Sequence, residues 1–93
     1  MIDETLTTDG QSAETTFAAG DVFIGVDLID ANIDVAVELQ RLMPSGVWRR
    51  VERLRTDGNA SSMILSVADA AVSYRFKVSG LEYGSVRVYA AAG

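Results

Sequence analysis

Neither cysteine nor histidine occurs in this 93-residue sequence. Without cysteine no disulfide can staple the fold, and no thiolate can serve as nucleophile or metal ligand. Without histidine the commonest general base near neutral pH is missing, as is the commonest ligand for zinc, copper or non-haem iron. Most hydrolase and metalloenzyme mechanisms lose their central residue, so the expectation is a chain that is not an enzyme and holds no cofactor or metal. Aromatic residues are also scarce, at 8% with a single tryptophan, Trp48, which leaves the core to Val, Ile, Leu and Ala. No apolar run approaches the ~20 residues that span a bilayer. The start, Met1-Ile-Asp-Glu-Thr, carries acids where a secretory signal places positive charge. These features predict a protein made in the cytoplasm with no membrane partner.

What is present is apolar and unevenly charged. Hydrophobic residues make up 48% of the chain, enough for one modest core in a domain that buries roughly 60–65% of its unfolded surface. The formal charge of −5 divides sharply along the sequence. Residues 1–40 contain nine acids and no base, whereas residues 41–93 contain all eight bases against four acids, a net of +4. Such asymmetry signals either complementary surfaces for protein contact or acidic and basic strands that pair within the fold. Nucleic acid is not an expected partner, because an acidic chain is repelled by phosphate and no basic motif interleaved with aromatics occurs.

The apolar residues alternate with the period of half-buried strands. Residues 1–16 are polar and read as an N-terminal acidic arm or weak edge strand, leaving residues 17–93 as a single β domain. Asp21-Val-Phe-Ile-Gly-Val-Asp-Leu-Ile29 is a β-branched strand candidate, with Gly20 and Gly25 marking a turn and a bulge. Ile33, Val35, Val37 and Leu39 share one face of the next strand. Met43-Pro-Ser-Gly46 is a turn, since proline presets φ at its second position and glycine accepts positive φ. Val47–Arg55 admits a helical reading, but a hairpin after Pro-Ser-Gly favours a strand, with Trp48, Arg50, Glu52 and Leu54 on one face and Arg49, Val51, Arg53 and Arg55 on the other. Asp57-Gly58 marks a further turn, followed by alternation at Met63, Leu65 and Val67. Val72, Tyr74, Phe76 and Val78 alternate most cleanly, and Gly80–Gly84 reads as the turn of a closing hairpin into the Val86, Val88 strand. The predicted fold is all-β: an antiparallel β-sandwich or small barrel of six to seven strands with an N-terminal arm.

Candidate chemical groups are few. Asp27, Asp30 and Asp34 lack the glycine and terminal glutamate of a calcium loop, so they read as loop carboxylates. Ser61 and Ser62 have no histidine to activate them. Trp48 and Tyr74 are expected in the core. Tyr83, at a loop tip, and Tyr89, on the polar side of its strand, are better placed for an exposed contact with protein or sugar.

Two blocks carry a family resemblance. Val35-Ala-Val-Glu-Leu-Gln-Arg41 followed by Pro44-Ser-Gly-Val-Trp-Arg-Arg-Val51 resembles a hairpin of small tailed-phage virion proteins, in which a V-x-L-Q-R strand turns into a W-x-x-V strand. Val72-Ser-Tyr-Arg-Phe-Lys-Val-Ser-Gly80 followed by Gly84-Ser-Val-Arg-Val-Tyr89 resembles their closing hairpin. Together they span about a third of the chain, and the acidic N-terminal stretch has no counterpart in the pattern. The resemblance implies a β-sandwich on the virion, a capsid decoration or cement protein that braces the major capsid protein and lies at the surface of the head, as a homo-oligomer with a trimer favoured. A neck, tail or fibre component and a small carbohydrate-binding module are the alternatives. In this reading an acidic surface containing Asp27 and Asp30 meets a basic one containing Arg49, Arg53 and Arg55 on a neighbouring copy or on the shell, with Tyr83 and Tyr89 as further contacts.

Overall fold

A computed structural model describes residues 1–32, 34–56 and 60–92. Among these residues there is no helix, and nine strands build two antiparallel sheets. The strands are β1 (Ile2–Leu6), β2 (Gly10–Gln11), β3 (Thr15–Thr16), β4 (Gly20–Ile29), β5 (Ala36–Leu42), β6 (Trp48–Leu54), β7 (Ala60–Val67), β8 (Ser73–Ser79) and β9 (Ser85–Ala92). Sheet I has the order β1-β9-β4-β7. Sheet II has the order β2-β8-β5-β6, with β3 also pairing β8. Because β2 and β3 lie along the same strand, they act as one interrupted edge strand. Counted so, eight strands cross between sheets in the connectivity of a jelly roll.

The period-2 alternation read from the sequence is what drives this packing. Val22, Ile24 and Val26 of β4, Val86, Val88 and Ala90 of β9, and Ile2 of β1 turn inward from sheet I. Val37 and Leu39 of β5, Leu54 of β6, and Tyr74, Phe76 and Val78 of β8 meet them from sheet II. Burying a Val, Leu, Ile or Phe side chain contributes about 1.5–3 kcal/mol, so this layer is the main stabilising element. Phe17, between β3 and β4, plugs one end with its ring 6.0 Å from that of Tyr74. Ile33 and the Asp57-Gly58 turn lie outside the described residues.

Residues 1–16, expected as an arm or weak edge strand, run along the edges of both sheets. β1 pairs with β9 over its full length. Ser12 interrupts the opposite edge: its amide donates to the Phe76 carbonyl at 2.9 Å, and its hydroxyl accepts from the Phe76 amide at 2.9 Å in place of a ladder carbonyl.

Two local readings change. The closing hairpin expected at Gly80–Gly84 does not form, because β8 and β9 belong to different sheets. The glycines instead shape a crossover: Gly84 has φ of 75° and packs against the Asp30 backbone, where no Cβ would fit. Asp9 closes the same corner, its carboxylate accepting from the amides of Gly80 at 3.0 Å and Leu81 at 2.7 Å. Gly25 is not a bulge, since its register with β7 and β9 is unbroken. The bulge lies in β6, where partners skip from Glu52 to Arg50 and leave Val51 unmatched. By contrast, the turn at Met43–Gly46 stands as expected, with the Gly46 amide donating to the Met43 carbonyl at 2.9 Å and φ of 85° at Gly46.

Candidate interaction surfaces

Each sheet turns one face to the core and one outward, so the outward residues define two broad surfaces on opposite sides of a body with principal extents of 35 × 27 × 18 Å. On sheet I the outward residues of β1, β4 and β9 include Asp3, Asp21, Asp27 and Arg87, a net of −2. On sheet II the outward residues of β5, β6 and β8 include Glu38, Arg50, Arg53, Arg75 and Lys77, a net of +3. The charge division of the sequence thus becomes a division between faces, because the acid-rich first strands and most of the bases enter different sheets.

The sheet I face centres on Arg87. Its guanidinium donates to both Asp3 oxygens, at 2.8 and 2.9 Å, lies 3.6 Å from Asp27, and sits 5.3 Å above the Tyr89 ring. The paired hydrogen bonds from Arg87 hold the Asp3 carboxyl below its ordinary value. Asp3 in turn raises the already high Arg87 value. The Tyr89 ring lies across Gly25 on the adjacent strand, in the space a side chain would fill. One row further along, Phe23 and Ile64 sit opposite each other on β4 and β7 and stay 50% and 56% exposed.

The sheet II face centres on Arg75. Its Nε donates to Gln40 Oε1 at 2.9 Å, and Gln40 Nε2 donates to Glu38 Oε1 at 2.8 Å, so Arg75 reaches a carboxylate only through an amide. The Arg75 guanidinium lies 4.1 Å over the Trp48 ring. Trp48, expected in the core, stands on this outer face and is half-buried. The Val51 bulge is the reason: it shifts the alternation by one, so Trp48, Arg50 and Arg53 share the outer side, while Arg49 falls opposite Arg41 on the other. Arg50, Arg53 and Lys77 make no ion pair with any described residue.

The seven residues singled out in the sequence therefore do not form one site. Asp27 and Tyr89 meet on the sheet I face, and Arg53 lies on the sheet II face. Arg49 is exposed at the far end of β6, and Arg55 is exposed just beyond its other end. Asp30, at the end of β4 with φ of 53°, and Tyr83, 61% exposed, share the crossover corner joined through Gly84. The three aspartates of the calcium pattern separate: Asp27 faces Arg87, and Asp34 accepts from the Asn32 amide. Among the described residues no group of His, Cys, Asp or Glu is placed to hold a metal. The sequence reading missed the exposed Phe23 and Ile64 pair and the Arg75, Gln40 and Trp48 cluster. Phe23 turns outward between the buried Val22 and Ile24, but only the sheet pairing sets it opposite Ile64. The chain matches no protein-family model and no curated protein sequence.

Proposed function

We propose that this chain is a non-enzymatic structural virion protein, a capsid decoration or cement protein that binds the outer surface of a phage head. The observation that carries the reading is the segregation of charge onto the two broad faces of a thin sandwich, with Arg50, Arg53 and Lys77 on the basic face free of described ion-pair partners. Charge left uncompensated on an open face favours a broad, complementary surface over a small substrate held in a cleft. A plate of these dimensions can cover the roughly 800 Å² per partner of a standard protein interface. On a symmetric shell the same modest contact recurs at every lattice position, so stabilisation of the head comes from repetition. The jelly-roll connectivity supports the reading only as fold analogy, since the same architecture serves both capsid and lectin domains.

The test is cosedimentation of the purified chain with isolated heads of the phage whose genome encodes it. Binding is expected to saturate at a fixed copy number per head and to weaken as ionic strength rises from about 0.05 to 0.5 M, where screening shortens to a few ångströms. The Arg53→Glu and Lys77→Glu pair should weaken it further. Attachment to necks, tails or fibres alone would overturn the head assignment. Binding to a glycan array, lost in Tyr83→Ala, would favour a carbohydrate-binding module.

A further inference from the structure

A two-sheet sandwich leaves four strand edges, and here three of them are guarded against pairing. β1 carries Asp3 and Glu4. The β2 and β3 edge is broken into two-residue pieces by Ser12. β6 is dense in arginine and bent by the Val51 bulge. These are the devices by which edge strands avoid a second chain. β7 has none of them. Its sequence, Ala60-Ser-Ser-Met-Ile-Leu-Ser-Val67, contains no charge, proline or glycine, and its pairing with β4 runs unbroken from Ala60 to Val67. Among the described residues no strand lies beyond it. A row of backbone donors and acceptors is therefore open, beside the exposed Ile64 and Phe23.

We infer that β7 joins two copies of this chain, antiparallel about a two-fold axis, extending sheet I of each into one eight-stranded sheet. A second copy is the occupant that the chemistry fits. An uncharged strand opposes itself without placing like charges face to face, and a two-fold arrangement lets one edge satisfy its own backbone groups. Alternation limits the register, because an inward residue must sit opposite an inward residue. The register centred on Ile64 places Ile64 opposite its counterpart, Met63 opposite Leu65, and Ser62 opposite Ser66. Phe23 of each copy then flanks the axis, and the exposed apolar pair becomes one covered patch on the outer face. This pairing stands without the virion reading, since it concerns the chain alone in solution, and it puts a dimer where the family resemblance favours a trimer.

Sedimentation equilibrium and native mass spectrometry of the purified full chain test it. The wild type should be a dimer, with β7 amides that gain hydrogen-exchange protection as concentration rises. Ile64→Lys and Ile64→Glu, each at an exposed position and each checked for folding by circular dichroism, should weaken association at least about tenfold, a loss of about 1.4 kcal/mol. An equal mixture of the two should recover a heterodimer, because opposite charges then face each other across the axis. Should Ile64→Lys fail to fold, Ser62→Lys on the same exposed face serves in its place. A wild-type monomer at all concentrations, a trimer, a dimer indifferent to these substitutions, or a mixture that stays monomeric would each overturn the proposal.

Discussion

Both outer faces are organised around an arginine laid against an aromatic ring, yet the two arginines end in different electrostatic states. Arg87 on sheet I is held by two aspartates, with the Tyr89 ring beneath it at 5.3 Å. Arg75 on sheet II lies closer to its ring, at 4.1 Å from Trp48, but its direct partner is the neutral amide of Gln40. The first arrangement neutralises its charge within the face. The second uses hydrogen bonding to fix geometry and leaves the positive charge in place, so the sheet II face keeps a field that can attract a partner. The faces differ because a bulge brought Trp48 and Arg50 outward on one sheet, and an unbroken register set acids beside Arg87 on the other.

The comparison assumes that the faces are two sides of one cooperative body. Phe76→Ala tests that most severely: Phe76 is fully buried between the sheets, and its truncation should cost about 3–5 kcal/mol by transfer and cavity terms. Chemical denaturation should show one transition, with amides of both sheets losing protection together; survival of sheet I alone would break the picture. Next in size is Arg75→Ala, which strips the Trp48 ring of its cation and leaves the buried Gln40 oxygen without its donor. A loss of about 1–2 kcal/mol is expected, with a change in tryptophan fluorescence. Unchanged fluorescence would mean that Arg75 does not organise the sheet II face.

Gly25→Ala sharpens the sheet I side by its sign. Replacing glycine within a strand by alanine ordinarily gains roughly 0.5–1 kcal/mol, but here the new methyl meets the Tyr89 ring, so a net loss of up to about 1 kcal/mol is expected. Displaced Tyr89 resonances in NMR spectra would accompany it. The smallest effect is at Asp3. Its carboxyl is held below the ordinary value near 3.8 by Arg87, so the pair contributes stability above that value and loses it as pH falls through the lowered one. Asp3→Asn should therefore flatten the acid limb of a stability profile measured between about pH 5 and pH 2, its small loss standing at neutrality and vanishing as the two profiles converge in acid. An acid limb as steep as that of the wild type would remove Arg87 from the account.

How much of this was legible follows from the range of each effect. Val22, Ile24 and Val26, or Tyr74, Phe76 and Val78, announce their inward faces because alternation is a local steric property of a single strand. The Met43–Gly46 turn was readable for the same reason, since proline and glycine restrict φ wherever they occur. Trp48 was misplaced because one unmatched residue, Val51, reverses the alternation of its strand, and nothing in the local pattern marks where a ladder skips. Gly80–Gly84 resembled a hairpin turn because its glycines allow positive φ, which a crossover between sheets needs equally.

The sequence by itself determined that the chain would be all-β, where most strands would run, which side of each would be apolar, and that histidine and cysteine chemistry would be absent. Only the tertiary structure decided which strands share a sheet, that acids and bases would occupy opposite faces, that Tyr89 would lie on Gly25, and that β7 would be left as an unguarded edge. Periodicity is written residue by residue, but pairing is a competition among distant segments for the same backbone hydrogen bonds and the same core, and its outcome depends on the whole chain at once.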